Sequence, residues 1–235
     1  SGLTFQIQLL YPGTERFFAG FLTDSPSYTA CLRVTQEDLR QAACYCPADA
    51  SPEFLETVAL RRRLADLLLS HDRCLFHSAA MVFREQAYLF AAPSGTGKTT
   101  QLNLWRELYP EETTILNGDK PVLQFLDTGT IVVHASPWRG KESLGGTGSA
   151  PLGGIIYLRQ SQADRWAPMP PGAAILPMLG QFFCTDRTEE HYRLLLPLKR
   201  LVCATPIWLL ENRGGPESAR LCHDRLLERR ECVLC

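Results

Sequence analysis

The chain of 235 residues carries 24 Lys and Arg against 25 Asp and Glu, a formal net charge of −1, with 45% hydrophobic and 21% charged residues. That composition describes a globular chain with a substantial core, either one large domain or a core with an attachment. It lacks the basic excess of a nucleic-acid binder, no uninterrupted apolar span is long enough to cross a bilayer, and the start Ser1-Gly2-Leu3 has no signal-peptide pattern.

Residues 4–10 alternate apolar and polar side chains, predicting a half-buried strand ended by Tyr11-Pro12-Gly13. Residues 15–22 suit a short helix or a second strand, and 27–34 read as a strand. Thr35, with Asp38 three residues on, caps a helix running to about Cys44. The loop 47–51 divides an N-terminal α+β appendage, residues 1–50, from the main domain, residues 51–235.

Ser51-Pro52-Glu53 opens the strongest helix, with Phe54, Val58, Leu64, Leu67 and Leu68 as its apolar face. Arg61-Arg62-Arg63 reads as its solvated side, with a ligand patch as the alternative. Residues 75–83 and 87–92 read as strands joined by Arg84-Glu85-Gln86, and a short strand over 113–116 ends at Asn117-Gly118-Asp119-Lys120-Pro121. Residues 121–126 and 131–135 form a second hairpin. The glycine-rich stretch Gly145-Gly146-Thr147-Gly148 suits either a mobile loop beside a ligand or a plain surface loop. A buried strand over 153–158, helices near 173–183, 189–201 and 216–231, and a strand over 206–210 complete the chain.

Nine cysteines are an odd number in a chain that is not small, and several lie in apolar or helical runs where a free thiol acts as a small hydrophobe. Reduced thiols and a cytoplasmic address are expected. Cys44-Tyr45-Cys46 and Cys232-Val233-Leu234-Cys235 have no partner pair at zinc-finger spacing, and the last four residues lack the polybasic segment of a prenylation site.

The chemistry is carried by Ala92-Pro93-Ser94-Gly95-Thr96-Gly97-Lys98-Thr99, between an apolar strand and a helical pattern with Leu102, Leu104, Trp105 and Leu108. Strand, glycine loop and helix is the setting in which backbone N–H groups cradle phosphate at the positive end of a helix. Residues Ser94, Gly95, Thr96, Gly97, Lys98, Thr99 and Thr100 are the expected nucleotide contacts, with Lys98 reaching the β- and γ-phosphates and Thr99 holding Mg²⁺. Ala92 stands where the usual pattern has its first glycine. Asp119, one helix and one strand after Lys98, is the expected acidic partner of the metal. Lys120, Arg139, Lys141 and Glu142 are candidate phosphate clamps or substrate contacts, with solvated surface charge as the competing reading. His77, alone beside apolar residues, fits a satisfied core or turn residue more readily than a functional one.

His77-Ser78-Ala79-Ala80, the phosphate loop, the segment 115–121 and Pro137-Trp138-Arg139-Gly140-Lys141 together resemble the kinase domain of HPr kinase/phosphorylase. More closely, they resemble the stand-alone HPr-kinase-like proteins of Firmicutes and of peptide-modification gene clusters, over about residues 54–227. The resemblance implies an α/β fold, a phosphoenolpyruvate-carboxykinase-like P-loop mixed sheet flanked by helices, here with the small N-terminal appendage. It also implies transfer from ATP with Mg²⁺ to a serine or threonine hydroxyl of a protein or peptide. His77 matches the family's histidine before the loop, which makes Asp119, Lys98, His77 and Lys141 the expected catalytic set and Thr99 with Asp119 the metal ligands.

The family has two consecutive aspartates where this chain has Gly118-Asp119. Either Asp119 does both jobs, or Glu142 or His77 supplies the base, or the protein binds nucleotide and transfers nothing. The reverse phosphorylase reaction is expected to be absent. A nucleotide-sensing regulatory module and a small-molecule kinase are the alternatives to a protein or peptide kinase. No nucleic-acid or membrane partner is expected, and the oligomeric state is open, a homo-oligomer included.

Overall fold

The computed structural model describes residues 2–185 and 188–233. Residues 232–235, set aside above as a zinc pair or prenylation site, end on Leu234 and Cys235, outside the described residues. The N-terminal part pairs two short parallel strands, β1 (Phe5–Gln8) and β2 (Ala30–Arg33). Between them lies α1 (Glu15–Phe18), flanked by 3₁₀ turns at Pro12–Thr14 and Ala19–Phe21, so the segment left open in the sequence is helical. α2 (Gln36–Ala43) starts on a capping box: the Thr35 hydroxyl accepts the Asp38 N–H at 3.2 Å, and the Asp38 carboxylate accepts the Thr35 N–H at 2.8 Å.

α3 (Pro52–Leu69) begins where Ser51 accepts the Phe54 N–H. Val58, Leu60, Leu64, Ala65 and Leu68 share a buried cluster with Phe18, Leu32, Val34 and Leu39 of the N-terminal part. Phe54 is a correction to the predicted apolar face. It is 50% exposed, because the inward side of that turn is taken by Glu56 and Thr57. The fully buried Glu56 carboxylate accepts the Leu10 N–H at 2.5 Å, the Tyr11 N–H at 3.2 Å and the Thr14 hydroxyl at 2.6 Å. A buried carboxylate is tolerated when its lone pairs are filled in this way.

The rest of the chain follows as β3 (Arg73–Leu75), β4 (Ser78–Phe83), β5 (Gln86–Ala91), α4 (Lys98–Leu108), β6 (Thr113–Asn117), β7 (Val122–Phe125) and β8 (Ile131–His134). Then come β9 (Ser149–Gln160), β10 (Arg165–Pro168), α5 (Pro171–Leu179), α6 (Thr188–Arg193), α7 (Leu195–Ala204), β11 (Ile207–Asn212) and α8 (Pro216–Val233). Nine of these strands make one mixed sheet among the described residues. Its spine runs β3-β7-β8-β9-β5-β4-β6, and β11 pairs with β9 and β10. β9 is parallel to β5 and β11 and antiparallel to β8.

Two sequence expectations change here. The predicted strand 75–83 is two strands, because β3 pairs with β7 while β4 pairs with β5 and β6. β10 is unannounced, a four-residue edge strand ending in Pro168. The expected hairpin between β4 and β5 turns through Arg84 and Glu85, both left-handed at φ +48° and +64°.

Period-two alternation sends Ala87, Leu89 and Ala91 to one face and Tyr88, Phe90 and Ala92 to the other. The first face packs on Met178 of α5 and on Leu198 and Leu201 of α7. The second packs on Leu102 and Trp105 of α4 and on Cys222 and Leu226 of α8. The chain is thus an α/β protein, a mixed sheet flanked by helices with a small N-terminal strand pair. No helix among the described residues is long and apolar enough to cross a membrane.

Candidate functional site

Three adjacent strands bring the predicted residues together. Ser78 of β4 lies opposite Ala91 of β5, and Ala80 lies opposite Asn117 of β6. His77, the loop after Ala92 and the segment Gly118-Asp119 therefore emerge at one end of the sheet. In the loop, Gly95 and Gly97 take φ of +80° and +109°, left-handed values that favour glycine and that turn the backbone into a phosphate-sized bend. The Thr96 hydroxyl closes that bend on the Pro93 carbonyl at 2.9 Å. α4 starts at Lys98, so the loop sits at the helix end whose first N–H groups lack intrahelical partners.

The Lys98 side chain is buried and folds back onto its own loop. Its Nζ donates to the carbonyls of Ala92 at 2.8 Å and Pro93 at 3.2 Å. Burial lowers its pKa, and Asp119 opposes the shift. Thr99 is half-buried beside it, while Ser94 and Thr100 are exposed.

Asp119 is the acidic centre of the cluster. Lys120 Nζ donates to its Oδ2 at 2.6 Å, and His77 Nε2 lies 3.5 Å from its Oδ1. The His77 contact is not an ion pair at neutral pH. Burial first, then Lys98 and Lys120, hold the imidazole pKa down to about 4. Burial also lowers the Lys120 pKa, against the raising effect of Asp119.

Asn117, which the sequence shows only as part of a turn, fixes this arrangement. Its Oδ1 accepts the N–H groups of Asp119 at 3.0 Å and Lys120 at 2.8 Å, while its Nδ2 donates to the Ser136 carbonyl at 2.9 Å. Gly118 has no room for a side chain. A Cβ there would lie 2.4 Å from the Arg139 carbonyl oxygen and 3.1 Å from the Leu144 Cβ. The chain has thus closed its own backbone over this position.

The loop 136–148 is pinned at this point. Gly118 N–H donates to the Leu144 carbonyl at 2.9 Å, Asn117 bridges Gly145, and Arg139 Nη1 donates to the Gly145 carbonyl at 3.2 Å. Neither reading of its glycines, a mobile loop beside a ligand or a plain surface loop, foresaw Gly145, where a Cβ would lie 2.6 Å from the Leu116 carbonyl oxygen. Trp138 turns away from the site, packing between Phe17 and Phe18 with both ring centroids at 6.0 Å, and its Nε1 donates to the Thr57 carbonyl at 3.2 Å. Lys141 is exposed and makes no hydrogen bond or ion pair with a described residue, although its neighbour Gly140 lies against Asp119. Glu142 accepts from Asn103 of α4 at 3.2 Å.

Two more site residues lie far away in sequence. Gln181 receives the His77 N–H on its backbone carbonyl at 2.7 Å. With its amide nitrogen turned to the acceptors, it also donates to the carbonyls of His77 at 2.9 Å and Ala92 at 3.0 Å, tying β4 to the loop. Arg61 belongs to the triplet read as solvated, yet the three arginines part company. Arg63 pairs with Asp38 at 3.0 Å, Arg62 lies over the Tyr45 ring at 4.7 Å, and Arg61 lies over the Phe183 ring at 4.8 Å within the field of Asp119.

The cluster presents Lys98, Lys120 and Arg61 around one carboxylate, the balance expected of a polyphosphate site. Thr99 and Asp119 offer hard oxygen donors, which fit Mg²⁺ rather than a softer metal. Among the described residues no group of three or more His, Cys, Asp or Glu side chains gathers to hold a metal by protein ligands alone.

No protein-family model matches the chain, and no curated protein matches it. Among solved structures it is similar to the Hpr(Ser) kinase/phosphatase from Coxiella burnetii, at 11% identity and a TM-score of 0.42, over 68% of this chain and 92% of that one. The functional reading rests on this chain's own residues.

Proposed function

We propose that the chain binds ATP with Mg²⁺ at residues 94–100 and transfers the γ-phosphoryl to a Ser or Thr hydroxyl of a protein or peptide. One observation carries the reading: a loop with left-handed Gly95 and Gly97, the buried Lys98, and Asp119 meet at one end of three neighbouring strands. Backbone N–H groups of 94–98 hold phosphate oxygens, and Lys98 turns an N–H from its loop carbonyls to the γ-phosphate. Thr99 and Asp119 would hold Mg²⁺, which would supply charge neutralisation for the phosphates.

His77 is the base this reading favours. It is neutral, it touches Asp119, and the negative charge of bound phosphates raises its proton affinity at the moment a hydroxyl is deprotonated. Glu142 is instead engaged by Asn103. The second reading is a nucleotide-binding regulatory module, favoured by the closed space at Gly118, which leaves Asp119 without a neighbouring carboxylate.

Incubating the protein with ATP, Mg²⁺ and Ser- or Thr-containing peptides, then weighing each peptide, separates the two. The kinase reading expects a gain of one phosphate, abolished by Lys98→Ala. Tight ATP binding with no phosphorylated product across the peptides selects the regulatory module.

A further inference from the structure

Arg61 is the cation of the cluster whose donors are least used. Lys98 is occupied by two carbonyls and Lys120 by Asp119, whereas among the described residues the Arg61 guanidinium rests on a ring and its buried Nε has no hydrogen-bond partner. Its outer N–H groups are therefore the donors left for an anion.

The position of Arg61 is over-determined. On the same face of α3, one turn earlier, the Thr57 carbonyl takes the Trp138 indole N–H at 3.2 Å, and the Trp138 carbonyl in turn accepts the Lys120 N–H at 3.1 Å. On its other side the guanidinium rests on Phe183, whose N–H binds the Leu75 carbonyl at 3.0 Å, two residues before His77. Both anchors lead back to the residues around Asp119. Lys120 lies within the field of Arg61, and both lie within that of Asp119.

We propose that Arg61, with Lys120, forms a second oxyanion pole beside Asp119, built from residues outside the phosphate loop, and that this pole takes the phosphoryl group as it leaves the nucleotide. The planar guanidinium fork suits two oxygens of one phosphate, which an ammonium cannot match. The inference rests on the nucleotide site proposed above and adds to it a contact from an element outside the loop.

The test is calorimetric titration of inorganic phosphate into the full chain saturated with ADP and Mg²⁺. Wild type is expected to bind phosphate, Arg61→Met to bind it about 10- to 100-fold more weakly, and Arg61→Lys to fall between. Met keeps an unbranched stem on Phe183, and unchanged thermal melting of either variant shows that the fold survives. Equal phosphate affinity in Arg61→Met, or no phosphate binding by the ADP-loaded wild type, overturns the inference. If wild type binds no ADP, the same titration without nucleotide decides: phosphate binding lost in Arg61→Met keeps the pole and removes the nucleotide reading, and its absence overturns both.

Discussion

Asn117 shows how one neutral side chain organises charged ones. All of its bonds run to backbone or to Ser136, and together they aim Asp119 and seat the loop that carries Arg139. Asn117→Ala removes the acceptor of the Asp119 N–H and the donor to the Ser136 carbonyl, while the Lys120 N–H keeps the Trp138 carbonyl, so a loss of about 1–3 kcal/mol in denaturant-measured stability is expected, together with weakened nucleotide binding. His77 gives a second residue-scale prediction. Its imidazole should titrate near 4 by NMR in the free protein and move upward when ATP and Mg²⁺ are added, since bound phosphates favour the charged ring. An unshifted value near 6.5 in the free protein contradicts the burial of His77 beside Lys98 and Lys120. The convergence of Gly95, Gly97, Lys98 and Asp119 was legible in the sequence because they lie within a short loop and at the ends of neighbouring strands. Arg61 and Gln181 were not. A run of three arginines on a helix carries no mark of which one turns inward, and the partner ring of Arg61 is 122 residues on, from 61 to 183.

At the scale of elements, caps and turns were readable and pairings were not. Thr35 with Asp38 and Ser51 with Pro52 start their helices as their side chains dictate, and the β7–β8 hairpin falls where its polar turn lies. The split of β3 from β4 depends on hydrogen bonds to residues 119–121 and 181, which no local pattern records. Nor does any local pattern reveal that Glu56, on the same helix as Arg61, anchors the N-terminal part. Glu56→Ala orphans the N–H groups of Leu10 and Tyr11 and the Thr14 hydroxyl. We expect a loss of about 3 kcal/mol or more, with residues 5–33 gaining the most in hydrogen-exchange rate. Uniform exchange across the chain would place the anchor elsewhere. Gly118→Ala belongs here too, because its Cβ must push the 136–148 loop off β6. It should lower both melting temperature and nucleotide affinity.

For the whole molecule, pH carries a signed prediction. His77 and His134 both have pKa values held down to about 4, each chiefly by burial, against an ordinary 6.5. Between those values the unfolded chain binds protons that the folded chain refuses, so stability falls as pH drops from about 6.5 toward 4 and is level above that window. The double variant His77→Gln with His134→Gln should melt with a shallower acid-side decline than wild type. An identical decline would assign the acid sensitivity to other groups.

The claim that joins these scales is that residues 94–100 and Asp119 form one nucleotide site. Calorimetric titration of ATP with Mg²⁺ into wild type, Lys98→Ala and Asp119→Asn tests it most directly. The account predicts one nucleotide per wild-type chain, affinity lower by about 10-fold or more in Lys98→Ala, and a lost Mg²⁺ dependence in Asp119→Asn. Absence of binding by wild type, or equal affinity in all three proteins at equal melting temperature, would contradict it.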